Sequence, residues 1–177
     1  MKMLLLLKKS EAGYTLLEML VVVLMIGVLS VIAVPGWLGF VNQQRLNTAQ
    51  NKTLTSLRDA QIKAQKEKLR WQACFWDNGT QVFSSVQRVP ANNNCQVTNG
   101  EPLIEKSQNI KILNSSMVQA PINSGYYRIR FNHDGSVVTG EKGKITFAPR
   151  NASAPKACVI VETLLGSIRS VKDAKCD

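Results

Sequence analysis

Histidine and acidic side chains are scarce in this sequence. The 177 residues include one histidine, His133, and 12 Asp and Glu against 22 Lys and Arg, for a formal net charge of +10. There is no Gly-rich phosphate loop and no nucleophile elbow, and no two cysteines have the Cys-x-x-Cys spacing of a zinc site. His133 lies in a turn-like segment, which favours an exposed side chain over a catalytic base. We therefore expect no enzymatic activity, no cofactor and no metal site.

Positive charge is distributed unevenly along the chain. Residues 42–70 contain seven Lys and Arg against two Asp and Glu, and residues 128–177 contain nine against five. Residues 71–127 contain three of each. A basic surface can be merely solvated, or it can attract nucleic acid, anionic lipid or acidic partners. Composition leaves both readings open.

One long hydrophobic run begins close to the N-terminus. From Leu16 to Val34 every residue except Glu18 and Ser30 is apolar or small. These 19 residues, at about 1.5 Å per residue, span roughly 28 Å as a helix, close to the ~30 Å hydrocarbon core of a bilayer. A carboxylate in such a helix costs up to about 3 kcal/mol, so Glu18 is a candidate functional residue.

The order of features around this run is unlike that of a secretory signal, in which the cleavage site follows the apolar core. Here Lys8, Lys9 and Gly13 all precede the run. The segment Gly13–Val22 (GYTLLEMLVV) resembles the class III signal of type IV pilins and type II secretion pseudopilins. The resemblance implies that residues 1–13 are a leader peptide and that the hydrophobic helix stays in the mature protein.

Further roles follow from the same resemblance. In this family the prepilin peptidase cuts after the glycine, here Gly13, and methylates the new N-terminal amine, here that of Tyr14, where the family usually has Phe. Glu18 is the fifth mature residue, which the resemblance implies pairs with the N-terminal amine of a neighbouring subunit during assembly. Pro35 falls where the family has a helix-kinking proline.

The expected domain organisation has three parts: a leader at 1–13, a transmembrane and assembly helix at 14–35, and a globular domain at 36–177. An amphipathic helix over about 37–69 opens that domain, because one set of residues recurs at three- and four-residue steps. The fold class is α+β and pilin-like, with the long N-terminal helix packed on a mainly antiparallel β-sheet. The recurring residues of the amphipathic helix are Leu46, Ala49, Thr53, Leu57, Ala60 and Ala64.

The remainder of the chain has the texture of short β-strands and turns. Alternation in Tyr126–Phe131 predicts that Tyr127, Ile129 and Phe131 face the core, while Tyr126, Arg128 and Arg130 form an exposed face. Residues 90–102 and 133–136 are expected to be a loop and a turn. The predicted strands are Trp71–Trp76, Gln81–Val86, Ile110–Leu113, Tyr126–Phe131, Lys144–Phe147, Cys158–Thr163 and Ser167–Val171.

All four cysteines lie beyond the hydrophobic run, and an even number of them indicates disulfides and an oxidising compartment. Four cysteines allow three connectivities. We expect Cys74–Cys95 and Cys158–Cys176, because each bridge closes a local loop of about 20 residues, worth about 3 kcal/mol in the chain-entropy model.

A narrower resemblance covers most of residues 50–171. The run Leu57–Ala64, the turn Phe131–Gly135 and the closing hairpin are similar to the FimT/GspH group of minor pilins and pseudopilins. Members of its pilus branch bind DNA through a Gly-Arg-x-Arg motif, whose counterpart here is Gly166-Ser167-Ile168-Arg169, without the first arginine. The expected DNA-binding residues are therefore Gly166 and Arg169, together with Arg128, Arg130, Lys172 and Lys175 if their strands share one sheet.

The sequence thus predicts a minor, structural subunit of a type IV pilus that supports filament assembly, with DNA uptake as an open second role. Two alternatives remain: a pseudopilin of a type II secretion system, and a membrane-anchored DNA receptor for transformation. The expected partners are the prepilin peptidase, other pilin or pseudopilin subunits, the bacterial inner membrane and, in the second role, DNA. The expected topology is a single membrane pass with the globular domain outside the cytoplasm.

Overall fold

The computed structural model describes residues 13–97, 100–105, 109–122 and 124–176, with the backbone alone for 32–35. The chain divides into two compact units, one ending at Phe40 and the other starting at Val41. Helix α1, Leu16–Glu67, includes residues of both. No single helix in the described residues is long and apolar enough to cross a membrane, whereas Leu16–Val31 and Gly36–Glu67 meet that criterion as a bent pair, by length and composition.

In the second unit, α1 buries the predicted stripe. Leu46, Ala49, Thr53, Leu57, Ala60 and Ala64 are all fully inaccessible to solvent. The helix ends at Glu67, two residues earlier than expected. Lys68 has a φ of 57°, a left-handed conformation that commonly terminates helices.

In the described residues, nine strands follow and form two antiparallel sheets. The five-stranded sheet has the order β3-β2-β1-β6-β5, and the four-stranded sheet has the order β4-β7-β8-β9. The pilin-like α+β fold is therefore confirmed, with the strands divided between two sheets. The strands are β1 Trp71–Asp77, β2 Val82–Arg88, β3 Glu101–Pro102, β4 Ile110–Ser115, β5 Val118–Gln119, β6 Tyr126–Phe131, β7 Gly143–Pro149, β8 Ala157–Val161 and β9 Ile168–Lys172, followed by a short 3-10 helix, Asp173–Cys176.

A single hydrophobic core joins α1 to both sheets. Its largest members are Phe75 on β1, Phe131 on β6 and Phe147 on β7, all fully buried. Phenylalanine burial of this extent contributes roughly 1.5–3 kcal/mol per side chain. The core therefore holds the helix and the two sheets of this unit together.

Both predicted disulfide pairings are present. Cys74 on β1 is bonded to Cys95 in the loop that follows β2, and Cys158 on β8 is bonded to Cys176 in the 3-10 helix. The first bridge holds the loop against the five-stranded sheet. The second holds the end of the chain against the four-stranded sheet.

Three glutamines of α1 bind backbone carbonyls of the sheets and turns; we call these the glutamine contacts. Gln50 donates to Cys158 O (2.9 Å) and Val171 O (2.7 Å). Gln61 donates to Gly135 O (2.9 Å) and Leu165 O (3.3 Å). Gln65 donates to Asp134 O (3.1 Å).

The Gln61 contact accounts for a glycine in the β8–β9 turn. Gly166 is buried with a φ of 80°, and an added Cβ would lie 2.3 Å from Gln61 Nε2. Only glycine combines that φ with such a close approach. Gln61 thus fixes both the turn after β6 and the turn before β9.

Candidate functional site

The first turn of α1 positions the residues of the expected processing site. Gly13 and Tyr14 are exposed, ahead of the helix that begins at Leu16. Thr15 Oγ1 accepts a hydrogen bond from Glu18 N (3.1 Å), and Thr15 O accepts one from Met19 N (3.2 Å). This Thr-x-x-Glu spacing is that of a capping box. Glu18 therefore occupies the first helical turn, where the helix dipole stabilises a negative charge.

The first unit exposes apolar side chains on every side of the helix. Leu16 is 84% exposed, Leu24 61% and Val31 76%. A helix that is hydrophobic all round is stable only inside a protein or a membrane. Such side chains are typical of a segment that packs against lipid or against other helices.

The prediction that one face of β6 is exposed to solvent is wrong. Alternation correctly places Ile129 and Phe131 in the core and the two arginines of β6 on the other face, but that face is covered. The side chains of Arg128 and Arg130 are 10% and 17% exposed, and both contact Glu141, which is 4% exposed. The distances to Glu141 Oε1 are 3.3 Å from Arg128 Nη2 and 2.7 Å from Arg130 Nη2.

Burial and nearby charges both act on the pKa of Arg128. Desolvation lowers the pKa of Arg128, the nearby Arg130 lowers it further, and the Glu141 carboxylate opposes both effects. Arg130 also donates from Nη1 to Asn93 Oδ1 (3.0 Å) in the loop carrying Cys95. The cluster is therefore an internal, largely dry ion-pair layer under that loop.

The expected DNA-binding residues do not share one sheet, so the condition for their acting together is not met. Arg128 and Arg130 lie on β6 in the five-stranded sheet, whereas Arg169 and Lys172 lie on β9 in the four-stranded sheet. Because β6 and β9 belong to different sheets, no continuous strand face carries all four residues.

Arg169 and Lys172 are exposed but face opposite ways. Arg169 is paired in register with Ile160, and Lys172 with Ala157, whose side chain is buried on the core side. Arg169 Nη2 lies 2.6 Å from Glu162 Oε1, with side-chain exposures of 58% and 39%. Part of its charge is thus neutralised within the β8–β9 hairpin. Lys175 is exposed in the 3-10 helix.

The remaining predicted residues have simple placements. His133 and Asp134 lie in the turn before Ser136, and hydrogen bonds from Ser136 lower the pKa of Asp134. Within the described residues, no group of three His, Cys, Asp or Glu side chains is arranged to hold a metal ion. The side chain of Pro35 lies outside the described part of the chain, so its kinking role stays a prediction.

Several contacts were not predicted from the sequence. Glu141 carries no periodic signal, because it follows a turn rather than lying in a strand. Gln61 and Gln65 did carry a periodic signal, because they are four residues apart on the helix and adjacent to the buried Ala60 and Ala64. Thr15 and Glu18 also have capping-box spacing, which the sequence shows directly.

Comparison with known proteins defines the class. Residues 8–34 match the prokaryotic N-terminal methylation motif, and residues 43–164 match the family model of the type II transport protein GspH. Together they define a type IV pilin or pseudopilin, a class of subunits processed by prepilin peptidase and assembled with one another. The chain belongs to the GspH family, within the FimT/GspH group. This family is structural rather than enzymatic.

A solved structure supports the fold. The type IV minor pilin FimU of Pseudomonas aeruginosa (strain PAO1) is similar, with a TM-score of 0.53, over 78% of this chain and 96% of that one. At 12% identity the likeness concerns the fold alone. No curated protein matches the chain.

Proposed function

We propose that this chain is a minor subunit of a type IV pilus, held in the bacterial inner membrane by one pass of its N-terminal helix. Its globular part, residues 36–177, lies outside the cytoplasm and enters the filament with other pilin-like subunits. The proposal is carried by the helix after Gly13, which is apolar on every side and bears one carboxylate in its capped first turn.

The carboxylate gives the helix an assembly function. Lipid can cover the apolar side chains, but Glu18 remains costly in a membrane unless it is paired. Cleavage after Gly13 would create an N-terminal amine on Tyr14 of each subunit. Pairing of that amine with Glu18 of a neighbour would neutralise both charges and set the position of one helix against the next.

Mass spectrometry of the mature chain tests the processing step. We expect an N-methylated Tyr14 and the loss of about 1.4 kDa, taking roughly 110 Da for each residue of the leader. Gly13→Val should block cleavage, because the peptidase needs a small residue before the cut. Gly27→Val is the matched control, since nothing lies within 4 Å of a Cβ at that position. A mature N-terminus at any other residue would refute the pilin-like processing.

The pseudopilin of a type II secretion system is the alternative, and the description of the matching family favours it. The two proposals differ in which assembly, the pilus or the secretion system, requires the chain. Deletion of the gene should reduce surface pili and leave secretion of folded proteins unchanged. Loss of secretion with normal pili would instead assign the chain to the secretion system.

A second proposed role, DNA capture, rests on a smaller set of cations than the sequence predicted. Arg169, Lys172 and Lys175 are exposed on β9 and the 3-10 helix, and Lys142 is exposed before β7. The arginines of β6 are largely covered and paired with Glu141, so they contribute little surface charge. These four cations, one of them paired with Glu162, would bind DNA weakly, which fits an accessory role within a filament.

A further inference from the structure

The aromatic residues of the first unit lie only at the two ends of its hydrophobic helix. Tyr14 is exposed just before α1, and Trp37 and Phe40 lie in the last turn of this unit. Residues 15–36 include no aromatic residue. In membrane proteins Trp and Tyr are enriched at both interfaces between hydrocarbon and water. The first unit therefore has the aromatic distribution of a membrane anchor.

The spacing of these aromatic residues matches the thickness of a bilayer. Trp37 comes 21 residues after Leu16, the first residue of α1. At about 1.5 Å per residue, this is about 31 Å along the helix, and the hydrocarbon core of a bilayer is about 30 Å thick. A helix that enters the hydrocarbon at Leu16 therefore reaches the opposite boundary at Trp37. Phe40 lies about 4.5 Å further along the axis, within the headgroup layer.

Trp37 and Phe40 form one aromatic surface on the helix. Residues three positions apart are neighbours on one helical face, and the two ring centroids are 6.0 Å apart with an angle of 40° between the ring planes. Trp37 is 66% exposed and Phe40 is 54% exposed. Most of this surface is therefore accessible to a partner outside the chain.

The indole N–H distinguishes between two kinds of partner. Between Glu18 and Asn42, Ser30 and Trp37 have the only polar side-chain groups, and the Ser30 hydroxyl already donates to Ile26 O (2.7 Å). The Trp37 indole is a donor only, and it has no hydrogen-bond partner among the described residues. Ester and phosphate oxygens of phospholipids are acceptors at the membrane interface. An apolar helix of a neighbouring subunit offers no such acceptor, because its carbonyls are bonded within the helix.

We propose that Trp37 and Phe40 bind the interfacial layer of the outer leaflet, with the Trp37 ring at the level of the glycerol esters. The proposal rests on the membrane anchoring proposed above, and it names the phospholipid interface as the partner of this aromatic surface. The contact fixes the depth of the unassembled subunit in the bilayer. Entry into a filament must then break it.

Depth-dependent quenching of tryptophan fluorescence tests the proposal. The full chain is placed in phosphatidylcholine vesicles that carry a nitroxide on the headgroup, high on the acyl chain or near the end of that chain. Trp37→Leu is the matched variant, because it keeps an apolar side chain and leaves Trp71 and Trp76 in place. The difference between the two chains isolates the emission of Trp37. We expect the two shallow labels to quench this emission at least about twofold more than the deep label.

A second indole position calibrates the depth. Ile26 is exposed on the same helix and lies 11 residues before Trp37, which is about 17 Å or roughly half of the ~30 Å hydrocarbon core. Ile26→Trp, made in the Trp37→Leu chain, should be quenched most by the deep label. Opposite orders of quenching at positions 26 and 37 would support the proposal, and the same order at both positions would overturn it.

Other outcomes separate the aromatic contact from membrane anchoring. Protection of Trp37 from all three labels, in a chain that floats with the vesicles, would show that this surface packs against protein. Quenching of Trp37 mainly by the deep label would place the ring inside the hydrocarbon. Either result would overturn the contact and leave the anchoring intact. A chain that does not float with the vesicles would refute both.

A one-turn displacement of the indole tests its orientation. Phe40→Trp in the Trp37→Leu chain moves the indole about 4.5 Å outward along the helix. We expect the ratio of headgroup quenching to upper-chain quenching to be higher at position 40 than at position 37. A lower ratio at position 40 would contradict the proposed direction of the helix end and with it the interfacial contact.

Discussion

Glu18 combines two physical roles, in helix capping and in charge pairing, that Glu18→Ala alone cannot separate. Its backbone amide is capped by Thr15, and its carboxylate is the charge expected to meet a neighbour's amine. Glu18→Ala removes the charge and the capping side chain together. Glu18→Gln removes only the charge, because Gln also serves in a capping box.

We expect both variants to be cleaved and inserted normally, since a neutral residue costs less in a membrane. Both should enter filaments poorly if the charge is what assembly requires. The measurement is the fraction of the chain recovered in sheared filaments. Normal recovery of Glu18→Gln with loss of Glu18→Ala would assign the residue to helix capping and not to pairing.

At Gly166 the cost of backbone strain can be measured separately from the cost of displacing Gln61. A non-glycine residue at positive φ costs about 1–2 kcal/mol, and the Gly166 Cβ would also displace Gln61 from its hydrogen bonds, worth about 1 kcal/mol. We expect Gly166→Ala to lower the free energy of unfolding by about 2–3 kcal/mol. Gly140→Ala, at a φ of 86° with nothing within 4 Å, should lose about 1–2 kcal/mol. Equal losses in thermal or denaturant unfolding would show that Gln61 adjusts freely.

The two disulfides should differ in effect although their loops are similar. Sequence separations of 21 and 18 residues predict a loss of about 3 kcal/mol for either double Cys→Ser variant. Only Cys74 and Cys95 hold the loop over the arginines of β6. Removing that pair should therefore raise the reactivity of Arg128 and Arg130 towards an arginine-specific dicarbonyl reagent, and removing the other pair should not.

Peptide mapping of the labelled, folded proteins gives the result. Unchanged labelling after loss of the Cys74–Cys95 bridge would show that other contacts keep the loop in place. Candidates for such contacts are the bond from Gln72 to Asn94 O (2.9 Å) and the bond from Cys95 N to Ala120 O (3.3 Å).

Local sequence patterns predicted the positions of the helix and strands well, but not how these elements pack together. Tyr126–Phe131 has the bounds expected, and the predicted strands Trp71–Trp76 and Gln81–Val86 correspond to the antiparallel pair β1 and β2. Period-two alternation identifies the two faces of a strand, but it does not say what covers each face, which is why Arg128 was expected at the surface. Strand order was also beyond the sequence, because β1 lies between β2 and the distant β6.

For the whole molecule, the strength of DNA binding depends on the number of accessible cations. About three phosphate contacts would give a log–log salt slope near −3, at about −0.9 per contact. Arg169 is paired with Glu162, so Glu162→Gln should strengthen binding at low ionic strength by removing a negative charge beside it. Ser167→Arg should do the same, because Ser167 is exposed and the change restores the Gly-Arg-x-Arg pattern.

The measurement is a salt titration of the processed chain in detergent against labelled duplex, starting at low ionic strength. Arg169→Ala should reduce the slope by about one unit without altering sequence preference, and Lys66→Gln is a control on α1. If neither the natural chain nor Ser167→Arg binds at low salt, the DNA role is refuted and a purely structural subunit remains.

The glutamine contacts also have a mechanical consequence. Gln50 and Gln65 are 15 positions apart on α1, which corresponds to about 22 Å along its axis, and Gln61 lies between them. A pull on the helix along that axis places all three attachments under shear together, so they share the load. A pull at right angles to the axis would break them one at a time. A helix attached in this way resists a pull along its own axis better than peeling from its side.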